Sequence, residues 1–274
     1  MTISGWSEVR GGGTGRGAAV PAVAERGRAG RTARRGGLLR RTAAAAARMA
    51  RPDGHGRGPL VAFGALAAAD LMAVARGPRG WERAAKPLLM PALAAHVLRR
   101  RPDGKTPAPA PLVAGLACAT AGDTALLFDE HEPAFLLGMA AFLGTQVCYT
   151  TGYARLGAFR AIRERPLPAL GCLAAWAAAN AVVSPGLEKK LRLPVAGYSL
   201  ALMTMGAAGL GAGGKVGAGA VAFVGSDLLI GLQAAGRKVP GQELMIMAGY
   251  LAGQYLITTG WLERREERER SLPG

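Results

Sequence analysis

The chain has 274 residues, of which 50% are hydrophobic, only 5% are aromatic and 41 are glycine, and its formal net charge is +16. So apolar a composition excludes a soluble domain with a polar exterior. The excess charge sits in tails and loops rather than in the apolar runs, and no nucleic-acid partner is expected.

Residues 1–57 hold twelve arginines against Glu8, Glu25 and Asp53. Residues 1–48 have almost no apolar periodicity and cannot build a core. A basic Gly/Arg-rich tail of this kind could bind nucleic acid or anionic lipid. The plainer reading is a disordered tail over 1–57, with Met49 or a nearby codon as the true start and the stretch before it an artefact of start assignment. The rival is a genuine disordered cytoplasmic tail. No secretory signal is read, because the first apolar run begins near Leu60.

Eight apolar segments follow, at about Leu60–Ala75, Lys86–Leu98, Leu112–Phe128, Pro133–Tyr153, Leu167–Val183, Pro194–Leu210, Val216–Ala235 and Gln242–Leu262. A spanning helix needs roughly 20 apolar residues, so several are short, and the second is the weakest. Charge with Gly and Pro separates them, as in Arg76-Gly-Pro-Arg-Gly80 and Gly236-Arg-Lys-Val-Pro-Gly241. Short loops predict antiparallel neighbours. The expected fold is all-α: a polytopic membrane helix bundle of eight transmembrane helices over 58–262, followed by a charged cytoplasmic tail over 263–274.

Arg99, Arg100, Arg101 and Lys105, then Arg155, Arg160, Arg163 and Arg165, then Lys215 and the C-terminal arginines fall on one side of this scheme. The acidic Asp129-Glu-His-Glu132 falls on the other, together with Arg76, Arg79, Arg83, Lys189, Lys190, Arg192, Arg237 and Lys238. The positive-inside rule then puts both termini in the cytoplasm of a multi-pass cell-membrane protein.

Cys118, Cys148 and Cys172 are isolated in apolar stretches, and His55, His96 and His131 are scattered. Neither set has ligand spacing, so no metal and no cofactor is expected.

Two aspartates interrupt apolar helices, at Gly122-Asp123 and Ser226-Asp227. A carboxylate at membrane depth usually faces a bundle interior and marks function. One helix after each comes the same signature. Phe142-Leu-Gly-Thr-Gln146, continuing to Thr150-Thr151-Gly152-Tyr153, matches Tyr250-Leu-Ala-Gly-Gln254, continuing to Thr258-Thr259-Gly260-Trp261. The pattern suggests a parallel 4+4 repeat about an axis along the membrane normal. Both acids then lie roughly 8–12 Å from the outer end of their helices, at about 1.5 Å per residue, and can face one cavity.

Two carboxyls at one site can divide acid and base work. One protonates a vinyl ether, acetal or epoxide, and the other directs water at the developing cation. The structural alternative is two separate helix–helix hydrogen bonds. Asp70 is a third candidate, ranked lower because the repeat holds no counterpart. Lys86-Pro87 is read as the opening of the second segment, where Pro costs no hydrogen bond. There Lys86 could meet a phosphate head group, or simply snorkel. Gln146 and Gln254, with Tyr149, Tyr198, Tyr250 and Ser226, either orient the acids and bind substrate or join helices. Gly209 to Lys215 resembles a phosphate-binding loop, but Val216 replaces the required Ser/Thr and no strand precedes it, so it is read as a tight turn.

At these residues the chain resembles the YhhN family of integral membrane proteins, which includes the lysoplasmalogenases. The resemblance rests on Lys86-Pro-Leu-Leu-Met-Pro91, Gly122-Asp-x-x-Leu-Leu127, Phe135-Leu-x-Gly-Met-x-x-Phe142, Tyr149, Tyr198, Ser226-Asp-Leu-Leu229 and Tyr250-x-x-x-Gln254. It covers about residues 60–262. It implies an eight-helix enzyme that hydrolyses the vinyl-ether bond of a membrane lipid substrate, a lysoplasmalogen, to a fatty aldehyde and a glycerophospho-alcohol, with no cofactor. The family's paired aspartates fall on Asp123 and Asp227. Where many relatives carry a histidine before the tyrosine, this chain has Gln146, which cannot titrate and throws the chemistry onto the carboxylates. The competing expectation is a small membrane transporter or lipid-binding protein, and the blandest is a structural membrane protein. The sequence sets no oligomeric state.

Overall fold

The computed structural model describes residues 57–76, 79–100, 107–128, 131–237 and 239–271, all within one compact unit, Met49–Gly274. The readings made for residues 1–56 lie outside them. The described elements are α1 (Arg57–Arg76), α2 (Arg79–Arg99), α3 (Ala110–Ala125), α4 (Glu132–Arg155), α5 (Ala158–Glu164), α6 (Leu167–Val183), α7 (Lys189–Ala212), α8 (Gly214–Ala234) and α9 (Gln242–Ser271). Single 3-10 turns extend α3 and α6, and no strand occurs among the described residues. The protein is an all-α membrane bundle. Six of its helices are long and apolar enough to cross a bilayer, namely α1, α3, α4, α6, α7 and α8. Both α2 and α9 carry too much charge or polarity to meet the same measure.

Local chemistry explains most boundaries. Pro in the first turn opens α3, α4 and α6, where its missing N–H would have had no partner. Gly213, at φ 73°, turns the chain between α7 and α8, so the stretch resembling a phosphate loop is the tight turn expected. Two expectations are corrected. Helix α2 starts at Arg79, seven residues before Lys86, so Pro87 and Pro91 are interior. Each therefore forfeits an amide hydrogen bond. Likewise α7 starts at Lys189, and Pro194 is interior. In both cases a charged first turn hid the helix from an apolar-pattern reading. The short α5, in a stretch read as a basic loop, was missed because it is only 7 residues long.

Sequential neighbours pack as α1–α2–α3–α4 and as α6–α7–α8–α9, while α4 meets α7 and α9 meets α1 and α2. The tightest pair is α8–α9. A Cβ at Gly219 would come within 2.7 Å of the Ile257 amide nitrogen and 2.8 Å of the Gly253 carbonyl oxygen, so only glycine permits this backbone approach. By contrast α6 leans chiefly on α7 and leaves most of its surface exposed.

The two copies of the repeated signature meet in the core. Tyr153 and Trp261 pack with ring centroids 5.4 Å apart and planes tilted by 44°, and the Trp261 indole lies where a side chain at Gly152 would stand. Helix α9 then continues through its charged end. Arg265 donates to the Pro107 carbonyl at 2.6 Å, and Arg268 to the Arg155 and Leu156 carbonyls at 2.8 and 2.7 Å. Glu266 pairs with Arg100 at 3.0 Å and Glu263 with Lys215. Three basic stretches read as inner loops are thereby gathered at one end of the bundle.

Candidate functional site

At the other end, a cavity of about 260 Å³ lies between α3, α4, α6, α7, α8 and α9, with Lys86 of α2 at its wall. Both repeat aspartates line it. Asp123 sits in the last turn of α3 and is 7% exposed. Its Oδ2 accepts the Tyr250 hydroxyl at 2.7 Å. Asp227, on α8, accepts the Tyr198 hydroxyl at 2.7 Å. Each acid thus makes the helix–helix hydrogen bond that the structural alternative foresaw, and each also faces the shared chamber.

The phenols are themselves held. Tyr250 is packed edge-on against Phe142 and Phe223, with centroids 5.9 and 5.7 Å away. Its hydroxyl lies against the Gln254 amide, whose Oε1 accepts the Tyr149 hydroxyl at 2.6 Å. Tyr149, Gln254, Tyr250 and Asp123 thus form a polar cluster across α4, α9 and α3, bonded as the pairs Tyr149–Gln254 and Tyr250–Asp123, with Gln254 Nε2 unpartnered among the described residues. On the other side the fully buried Gln146 lies near Tyr198, but neither of its amide atoms makes a hydrogen bond among the described residues, and the bonded pair there is Tyr198–Asp227. The glutamines occupy matching places in the repeated signature, and each lies near the tyrosine that holds one acid. The Tyr–Asp hydrogen bonds orient the two carboxyls.

Of the residues singled out from the sequence, Lys86, Asp123, Tyr198, Ser226, Asp227 and Tyr250 line the cavity, whereas Gln146, Tyr149 and Gln254 stand behind its wall. The Ser226 hydroxyl donates to the Phe223 carbonyl of its own helix at 2.7 Å. Lys86 and Asp70 lie near enough to Asp123 for their charges to act on it. Asp70, fully buried on α1, is thus closer to the site than its lack of a repeat counterpart suggested.

Sequence reasoning missed Trp176, Asn180 and Ser199, which form the α6–α7 wall. The signal was available, since Asn180 is the most polar side chain in the apolar run Leu167–Val183. The remaining lining is apolar. Phe135, Leu228 and Ile230 belong both to the cavity and to the exposed apolar surface, so the chamber borders that apolar surface. Among the described residues no group of three or more His, Cys, Asp or Glu could hold a metal ion. What the chamber offers is two oriented carboxyls, one nearby ammonium and an apolar border.

A model of the YhhN family matches residues 81–261. The human protein Lysoplasmalogenase TMEM86B is 35% identical over 151 residues, which is 54% of this chain and 61% of that protein. Its pig counterpart of the same name is 32% identical over 173 residues, 62% of this chain and 71% of that protein. A Mycobacterium tuberculosis protein named Lysoplasmalogenase is 32% identical over 170 residues, 57% of this chain and 61% of that protein. The chain thus spans about three fifths of the length of the human and mycobacterial relatives it matches. No solved structure matches.

Proposed function

The chain belongs to the YhhN family, and on that premise we propose that it is a membrane hydrolase cleaving the vinyl-ether bond of a lysoplasmalogen or a related lysolipid. The observation that carries this reading is the meeting of Asp123 and Asp227 at one cavity, each oriented by a tyrosine from another helix. An acid and a base at one site are what vinyl-ether hydrolysis needs.

The neutral carboxyl of one aspartate adds its proton to the vinyl carbon remote from oxygen. The carbon bearing oxygen becomes an oxocarbenium ion, which the ionised partner stabilises. That partner takes a proton from water as the water oxygen bonds to the cationic carbon. The resulting hemiacetal loses its hydroxyl proton as its carbon–oxygen bond to the glycerol breaks. The alcohol oxygen takes up a proton, giving the fatty aldehyde and a glycerophospho-alcohol, and the two carboxyls regain their starting states.

Lys86 would meet the phosphate. The chamber, at about 260 Å³, is below the roughly 300–1,000 Å³ of a site enclosing a whole small molecule. It suits the reacting end, while the alkenyl chain extends past Phe135, Leu228 and Ile230 into lipid. The two halves are read as a parallel repeat with both termini in the cytoplasm, supported by the basic loops gathered at the end of α9.

The test is mass spectrometry of lysoplasmalogen incubated with purified protein in detergent. The expected result is free aldehyde with wild type and its loss in both Asp123→Asn and Asp227→Asn. Near wild-type turnover in either variant ends the scheme. Substrate movement into proteoliposomes without product would favour a carrier instead.

A further inference from the structure

The Asn180 carboxamide is pinned from one side only. Its Nδ2 donates to the Trp176 carbonyl at 2.9 Å and to the Ser199 hydroxyl oxygen at 3.1 Å. A backbone carbonyl can only accept, so the nitrogen must be the atom on that side. Ser199 has its own proton committed to the Ala196 carbonyl at 3.0 Å, and Trp176 Nε1 donates to the same carbonyl at 3.2 Å. The wall is therefore rigid where α6 and α7 meet, although the rest of α6 is loosely packed. Both amide protons are spent, and Oδ1 is left as an acceptor on a residue that lines the cavity.

The place of this oxygen matters. Ser199 adjoins Tyr198, whose hydroxyl holds Asp227. Asn180, Tyr198 and both acids line the same cavity. An amide oxygen carries partial negative charge and no proton, so it repels a phosphate and selects a donor. In a lysolipid the donor closest to the vinyl ether is the free hydroxyl on the central glycerol carbon, one carbon from the carbon that bears the ether oxygen. An ethanolamine ammonium is farther from the bond that breaks, on the phosphate side that Lys86 serves.

Resting on the function proposed above, we infer that Asn180 Oδ1 accepts a hydrogen bond from the free sn-2 hydroxyl of the substrate and so selects lysolipids. It is a specificity residue for the site. A hydroxyl-reading contact discriminates because the substrate lacking the hydroxyl leaves the site's polar atom without a partner.

The experiment pairs two substrates with two proteins. The substrates are 1-alkenyl-2-lyso-glycerophosphocholine and its 2-deoxy analogue. The choline head group has no N–H, so the hydroxyl is the donor under test. Wild type should turn over the deoxy analogue with kcat/KM lower by about tenfold, the scale of one hydrogen bond. Asn180→Leu should lower kcat/KM for the lyso substrate by about tenfold and for the deoxy analogue by less than about twofold. Equal efficiency of wild type on both substrates overturns the contact while leaving the proposed reaction standing, and that arm needs no variant to fold. An equal loss on both substrates in Asn180→Leu marks Asn180 as a helix clamp and also overturns it. Absence of aldehyde from either substrate sinks the underlying reaction, and this inference with it.

Discussion

Replacing Tyr250 with phenylalanine removes one oxygen and leaves the ring where it is, held edge-on by Phe142 and Phe223 at 5.9 and 5.7 Å. The lost group donates to Asp123 Oδ2 at 2.7 Å. Asp123 is only 7% exposed, so bulk water does not simply take the vacated place. A hydrogen bond to a carboxyl is worth about 1–3 kcal/mol. At about 1.4 kcal/mol per factor of ten, that corresponds to a loss of roughly 10- to 100-fold in kcat/KM if Asp123 must be oriented to react. Aldehyde release from lysoplasmalogen measures the rate, and thermal unfolding in detergent measures the fold. Tyr149→Phe is the contrast. It makes no bond to either acid and leaves Gln254 Oε1 buried without its donor. That should lower stability by about 1–3 kcal/mol with a smaller effect on rate. If Tyr250→Phe keeps kcat/KM within about twofold of wild type while remaining folded, the reasoning that Tyr250 positions a reacting acid is wrong.

Lys86→Met should raise KM for phospholipid substrates several-fold with little change in kcat, and leave an alkenyl glycerol without phosphate unaffected, as steady-state kinetics on the two would show. Gly219→Val forces a side chain into the α9 backbone at under 3 Å. Melting in detergent should fall by the equivalent of about 1–3 kcal/mol or more, with activity lost alongside the fold. Glu266→Gln breaks an ion pair whose side chains are 35% and 30% exposed, so its effect on stability should stay below about 1 kcal/mol. An epitope placed after Ser271 should resist protease in intact cells and be cleaved once the membrane is permeabilised, which checks the orientation.

The aspartates were legible because a charged residue inside an apolar run admits few explanations, and the same contrast gave five of the helices within a few residues, while α9 runs on to Ser271, past the Leu262 at which its apolar run ends. The starts of α2 and α7 were not legible. Each begins with charged residues that are helical without being apolar, and interior Pro87 and Pro194 looked like beginnings. Gln146, Tyr149 and Gln254 stood out in the repeat, but a one-dimensional pattern does not say on which side of a wall a residue stands. Tyr198 and Tyr250 could be picked out, yet not assigned to their acids, because those contacts span 29 and 127 residues. Asn180 escaped because one amide among alanines resembles an ordinary helix contact until its partner and the chamber beside it are seen.

The backbone contact between Gly219 and Gly253 leaves no room for α8 and α9 to slide past one another. Asp227 rides on the first of these helices and Tyr250, the tether of Asp123, on the second. The spacing of the two acids is therefore tied to a single stiff plank. The spanning helix least held by the bundle is α6, which is tied to α7 at Trp176 and Asn180.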